Sequence, residues 1–283
     1  MNSQLRKILY RLFAWCPLPQ LTPADETIDV VIPIIEKDLN TLPLCLEGVR
    51  RCVSHRIKDI YIVAPNHESI KAFCETHRLK YIDEKSIFGF APKELGLEIH
   101  YPEGGTQDRS GWLFQQLIKL SGKIGTCRYY LCIDADHVLI APHVFLTKEM
   151  KTVFYMSYEN NIPYYENIHR LMPDLPLSHL SYVDHKMLFD KEQIAILHKV
   201  LSPETEDGWI QTILDSYDRT CQSAFSEFEL YGNFIKDKVF RPWLQKRLPY
   251  KKMADYDTLL HKYRGSRWSL TFPDYMKQNL KGE

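Results

Sequence analysis

Three short apolar runs, separated by two helical patterns, fill residues 28 to 83. The first, IDVVIPII at 28–35, is almost continuously apolar and rich in β-branched residues, the pattern of a strand covered on both faces. TLPLCLEGVRRCV at 41–53 carries Leu44, Leu46, Val49 and Val53 at mixed helical spacing, with Thr41 placed as a cap and Pro43 in the first turn. IKDIYIVAP at 57–65 reads as a second strand, HESIKAFCETH at 67–77 as a helix and LKYID at 79–83 as a third strand. This β-α-β-α-β order predicts an α/β fold with a mainly parallel, doubly wound sheet. Ligands of such sheets bind beyond the carboxyl ends of the strands. Glu36, Lys37 and Asp38, then Asn66 and His67, then Asp83 and Glu84 stand at those ends.

A Gly-rich polar loop, YPEGGTQDRSG at 101–111, leads into a helix, WLFQQLIKLSG at 112–122, and then into YYLCIDADHVLI at 129–140. The last reads as a fourth strand ending in Asp134 and Asp136. Two carboxylates so placed repel one another and lose hydration. A divalent cation removes that conflict, and Mg²⁺ or Mn²⁺ takes hard oxygen ligands. Residues i and i+2 of an extended segment point the same way. Both carboxylates can therefore face one ion, or one can face the ion and the other a sugar hydroxyl. The competing reading of a bare D-x-D is a pair of solvated turn residues.

CIDADHVLI as a D-x-D motif, VVIPIIEKD as a first strand, and the order of elements between them resemble the nucleotide-sugar-dependent glycosyltransferases of the GT-A fold. DRSGWLFQQLIKL and FSEFELYGNFI (225–235) are similar to segments of a poorly characterised bacterial family of GT-A-like proteins. The fold-level resemblance covers 28–145; the remainder matches only in short motifs.

The resemblance implies a Rossmann-like sheet flanked by helices, with a more helical C-terminal part. Residues 28–145 would bind the nucleotide sugar and 146–283 the acceptor, as halves of one domain. It implies metal-dependent transfer of a hexosyl or related sugar from a nucleoside-diphosphate donor to a glycan or lipid-linked acceptor, in bacterial surface polysaccharide or lipopolysaccharide synthesis. Asp136 would coordinate Mn²⁺ or Mg²⁺. Asp134 would meet the metal through water, or the donor's ribose and sugar. Ile34, Glu36 and Asp38 would line the nucleoside site, with Asn66 and Gln116 as further donor contacts. Asp38 reads equally as a cap for the 41–53 helix. Arg109 either adds a charge-assisted contact to the donor or is a surface arginine.

An inverting enzyme needs a general base near the acceptor hydroxyl. Glu227 and Glu229 in SEFELYG are candidates; two residues apart on a helix, only one can face the site. The same stretch reads as a helix start, with Ser226 as cap and Glu229 as its capping-box partner. Asp184 and His185 in SYVDHKMLF are the other candidates, His185 as base, metal ligand or acceptor contact. A retaining enzyme needs no such base.

Two other classes use similar residues. Haloacid-dehalogenase-like phosphatases carry D-x-D-x-T/V, and DADHV has a valine in that place; their motif follows the first strand, whereas here three strands precede it. A catalytically silent binding protein on the same fold is the other alternative.

The net charge is zero and no zinc-finger or RNA-binding signature occurs, so nucleic acid is not an expected partner. Seven cysteines without C-x-x-C spacing predict buried thiols in a cytoplasmic protein. Helices are expected at 190–201, 207–217 and 225–235. The first 22 residues predict a basic amphipathic helix. Leu5, Ile8, Leu9, Leu12 and Phe13 share one face; Arg6, Lys7 and Arg11 occupy the rest, and no acidic residue precedes Asp25. Such a helix lies on an anionic membrane surface, peripheral to its inner face, or packs on its own domain. No small-residue cleavage site follows it, so no signal peptide is expected. Between 236 and 264 nine Lys and Arg stand against three Asp, an excess that suits an anionic partner or a solvated face.

Overall fold

The computed structural model describes residues 3–205, 207–273 and Met276. The remaining positions, at the ends of the 1–22 and 146–283 segments and at 206, lie outside the described residues. An N-terminal helix α1 (Ser3–Trp15) precedes β1 (Ile28–Pro33), α2 (Leu42–Cys52), β2 (Ile57–Ala64), α3 (Glu68–His77) and β3 (Lys80–Asp83). One helical turn, α4 (Lys85–Phe88), and an antiparallel ribbon of β4 (Glu98–His100) and β5 (Thr106–Asp108) lead to α5 (Ser110–Leu120) and β6 (Tyr129–Ile133). Then follow β7 (His137–Leu139), β8 (Thr152–Met156), α6 (Ile162–Leu171), β9 (Lys186–Asp190), α7 (Lys191–Leu201), α8 (Gly208–Ser216) and α9 (Glu227–Phe234). The last elements among the described residues are β10 (Lys238–Pro242), β11 (Gln245–Arg247), α10 (Tyr256–Tyr263) and β12 (Ser269–Thr271).

The central sheet has five strands in the order β3-β2-β1-β6-β9. The first four are parallel, and β9 runs antiparallel to β6. The alternation read from residues 28–134 is thus present, with one addition. The antiparallel edge strand comes from the second half, so the two halves share one sheet. Two small sheets, β11-β12-β7 and β10-β8, extend the fold on the second-half side.

The continuous apolar run of β1 has a direct cause. Val30 and Ile32 pack with α2 and α3 on one face, while Val31 faces the core built by α5, α7, α8 and α9 on the other. β6 alternates likewise: Leu131 and Ile133 go one way, Tyr130 and Cys132 the other. A strand sandwiched between helices has no wet face to mark with polar residues. Asp29 is buried within β1, and its Oδ2 accepts the backbone N–H groups of Thr126 (2.7 Å) and Cys127 (2.8 Å). This ties β1 to the turn before β6. Gly125 makes the approach possible: a Cβ there would lie 2.3 Å from that oxygen, and its φ is +73°.

Two local expectations are corrected. Thr41 does not cap α2 with its side chain; its hydroxyl donates to the Asp38 carbonyl. Asp38 caps the short 3₁₀ turn Glu36–Asn40 instead, its Oδ2 accepting Ile35 N–H at 2.9 Å. The amphipathic helix α1 is present but Phe13 does not share its outer face. Phe13 packs against the core, whereas Leu5, Ile8, Leu9 and Leu12 point outward. Among the described residues no helix is long and apolar enough to cross a membrane.

Candidate active site

The strand order reverses beside β1. The chain builds outward through β2 and β3, then returns to place β6 on β1's other side. The loops leaving β1 and β6 therefore diverge, and a crevice opens at their carboxyl ends. A cleft of about 610 Å³ lies there, lined by Pro33 at the end of β1 and Asp38 beyond it, Asp134 and Asp136 after β6, and Lys119 and Glu227 from the helical side.

Asp134 and Asp136 sit in the tight turn between β6 and β7, closed by the His137 N–H on the Asp134 carbonyl at 3.0 Å. His185 is brought beside them by β9. Its carbonyl accepts the Asp134 N–H at 2.9 Å, and its Nδ1 lies 3.0 Å from Asp134 Oδ2. The His185 backbone has φ +59°, a left-handed conformation that non-glycine residues rarely hold without surrounding support. One ligand atom from each of Asp134, Asp136 and His185 lies within 4.8 Å of the others.

The electrostatics of the two aspartates differ. Burial pushes Asp134 up, but the Lys119 ammonium and His185 outweigh it and hold the carboxyl well below the usual range. Lys119 Nζ lies 2.8 Å from Asp134 Oδ1 and 2.8 Å from Glu227 Oε1. Asp136 has no side-chain hydrogen-bond donor among the described residues. Burial raises its pKa to about 6, with His185 opposing and Asp134 and Asp38 adding to the rise. One aspartate is thus paired with Lys119 and His185, and the other faces the cleft with no side-chain donor among the described residues. His185 is pulled down by burial, but its bond to Asp134 leaves its pKa above the ordinary value.

The remaining sequence candidates separate by position. Glu227 reaches the cleft from the first turn of α9, whereas Glu229 is turned inward. Ser226 caps that helix through the Glu229 N–H, but the Glu229 carboxylate accepts from Ser181 and Tyr165 rather than closing a capping box. Burial raises its pKa to about 7. Asp184 is buried behind His185, 2.6 Å from Lys186 Nζ, and is likewise raised to about 7 by burial. Arg109 lies on the rim, its guanidinium 4.5 Å over the Trp112 ring and donating to the Gln222 carbonyl. Gln116 lines the cleft; its Oε1 accepts Glu227 N–H at 3.2 Å, and its buried Nε2 has no partner among the described residues.

Ile34, Glu36 and Asn66 do not line this cleft. Ile34 is wholly buried beneath it, because its N–H continues the ladder to Val63. Glu36 turns to Ser69 and His67 on the outer surface, and Asn66 is exposed after β2.

Lys119 was not read as a site residue from pattern, whereas Glu84 stands among the strand-end residues. Lys119 is the one charge in the otherwise uncharged stretch Ser110–Leu120, a signal available to inspection. Glu84 is buried at the end of β3 and raised to about 7 by burial and then Asp83.

A family model matches residues 25–261 of the chain. The chain belongs to that family, a family of unknown function (DUF6492). No curated protein matches the sequence. Solved structures do resemble this DUF6492 fold. Mouse xyloside xylosyltransferase 1, apo form, aligns with a TM-score of 0.51 at 12% identity, over 88% of this chain and 99% of that one. An active-site mutant of LgtC aligns with a TM-score of 0.50 at 12% identity, over 87% of each chain. The mainly parallel sheet with flanking helices is a GT-A-like fold.

Proposed function

We propose that this DUF6492 protein is a metal-dependent glycosyltransferase. It moves a sugar from a nucleoside-diphosphate donor to a glycan or lipid-linked acceptor, in bacterial surface polysaccharide synthesis. The observation that carries this reading is the Asp134, Asp136 and His185 group at the point where the sheet reverses order. Two carboxylates and one imidazole suit Mn²⁺ better than Mg²⁺, which favours oxygen donors alone. The unmatched Asp136 carboxylate is the feature a cation would satisfy. When bound, the ion supplies Lewis-acid neutralisation of the departing diphosphate.

The chain's own groups divide the other tasks. Arg109 at the rim meets donor phosphate with a charge-assisted bond. The uncommitted Gln116 amide nitrogen donates to the donor sugar. Asp38 borders the nucleoside side of the cleft. Glu227 is the carboxylate placed to accept a proton from the acceptor hydroxyl, with Lys119 fixing its orientation. Glu229 and Asp184 act behind the site, holding α9 and β9.

A thermal-shift screen tests this reading. UDP-, GDP-, ADP- and CMP-linked sugars are compared with and without Mn²⁺. A ligand at about 100 times its dissociation constant stabilises by about 2.7 kcal/mol, a shift of several degrees or less. A metal-dependent shift with one nucleotide class is expected. Absence of a shift with every donor, together with phosphate release from an aryl phosphate, moves the assignment to a phosphatase.

A further inference from the structure

Helix α1 is mounted with its apolar side outward. Leu5, Ile8, Leu9 and Leu12 repeat at i, i+3, i+4 and i+7 and form one stripe. Ile8 is 52%, Leu12 60% and Trp15, at the stripe's end, 89% exposed. The helix is held to the body by its other side. Arg6 is buried and donates to the Glu159 carbonyl and the Tyr165 hydroxyl, both at 3.2 Å. Tyr10 meets Tyr158 edge-on at 5.3 Å, and Phe13 packs into the core. A helix that docks by an arginine and two aromatics, leaving four aliphatic side chains in water, is built opposite to an ordinary surface helix.

We propose that this outward stripe is a docking surface for an anionic lipid bilayer. Charge selects that occupant. Lys7 and Arg11 are exposed beside the stripe, and no acidic residue precedes Asp25. Cations flanking a shallow apolar face match headgroup phosphates above acyl chains. A second copy of the chain would bring these cations against their own kind. Trp15 is suited to the headgroup boundary, where an indole keeps its N–H wet and its ring buried. Phe240, on the strand against which α1 packs, is also exposed. This inference stands independently of the sugar-transfer reading, since none of these residues lines the cleft.

Co-sedimentation of the full chain with phosphatidylcholine vesicles, with and without phosphatidylglycerol, tests it. Binding to the anionic vesicles should be tighter by about tenfold or more, and should weaken as salt screens the cations. The double substitution Ile8→Ser and Leu12→Ser touches only outward side chains. It should lower binding about tenfold or more, with the circular dichroism and melting temperature unchanged. Lys7→Glu with Arg11→Glu should remove the preference for phosphatidylglycerol. Failure of the intact chain to bind anionic vesicles overturns the proposal, as does undiminished binding by the Ile8/Leu12 variant. A concentration-dependent dimer abolished by that variant, with no vesicle binding, overturns it in favour of self-association.

Discussion

Lys119 Nζ stands 2.8 Å from Asp134 Oδ1, joining the last turn of α5 to the end of β6. The same nitrogen reaches Glu227, whose side chain is 5% exposed, so a single buried ammonium answers two carboxylates. Replacing Lys119 by Met leaves Glu227 buried and unpaired, while Asp134, 31% exposed, retains some access to water. The expected loss is about 3 kcal/mol in urea unfolding. The Lys119→Met and Glu227→Gln double variant should recover part of it, because the stranded charge is then gone. Equal stability of Lys119→Met and wild type would show that this ion pair contributes nothing.

Glu229 sets a pH dependence. Its folded-state pKa is raised to about 7 from an ordinary 4.5, first by burial. The fold therefore holds the proton where the unfolded chain has released it. The contribution is full below the unfolded value and is lost as pH rises through about 7, amounting to about 3 kcal/mol. Glu229→Gln keeps an acceptor for Ser181 and Tyr165 but cannot ionise. Unfolding followed from pH 4 to pH 8 should show a shallower decline for this variant, and higher stability than wild type at the alkaline end. Parallel curves would place the titration elsewhere, for instance at Asp184, which is also raised.

Gly48 governs how closely α2 approaches β7. A Cβ at this position would come within 2.7 Å of the Leu139 nitrogen and 2.8 Å of its carbonyl oxygen. Both are backbone atoms of a buried strand and cannot rotate away. Gly48→Ala gains helix propensity of about 1 kcal/mol but forces the two elements apart, which costs about 1–3 kcal/mol. A lowered melting temperature is expected; a raised one would show that α2 shifts freely.

The sheet was legible because β1 and β6 are covered on both faces and leave unbroken apolar runs. Asp134 and Asp136 were legible because they interrupt such a run. Lys119 was harder to read because its significance depends on Glu227, 108 residues away. A lysine near the end of an amphipathic helix otherwise looks solvated. Strand β9 was missed for a similar reason: KMLFD gains its meaning by pairing antiparallel with β6. The two sides of α1 were visible in its spacing, but spacing does not tell which side faces the body. Arg6 decides that through partners at Glu159 and Tyr165. Three cations of the basic tail are also committed to the body, Lys238 to Tyr182, Arg241 to Pro19 and Arg247 to Glu159, while Lys252 pairs with Asp255 at the surface.

Asp136 and Asp134 should respond differently to the same substitution. Asp136 has no side-chain hydrogen-bond donor among the described residues, and burial works against its charge. Asp136→Asn should therefore leave stability without metal unchanged or slightly higher. Asp134 is bound to both Lys119 and His185, so Asp134→Asn removes two charge-assisted bonds. That variant should lose about 1–3 kcal/mol, tempered by the site's partial exposure. Both should weaken Mn²⁺ binding measured by calorimetry about tenfold or more, as should His185→Ala, since each removes one of three donors. Chelation should lower the melting temperature of Mn²⁺-loaded wild type but not of Asp136→Asn. Unaltered Mn²⁺ affinity in Asp136→Asn, with folding intact, would take the ion away from this turn and with it the basis for metal-assisted sugar transfer.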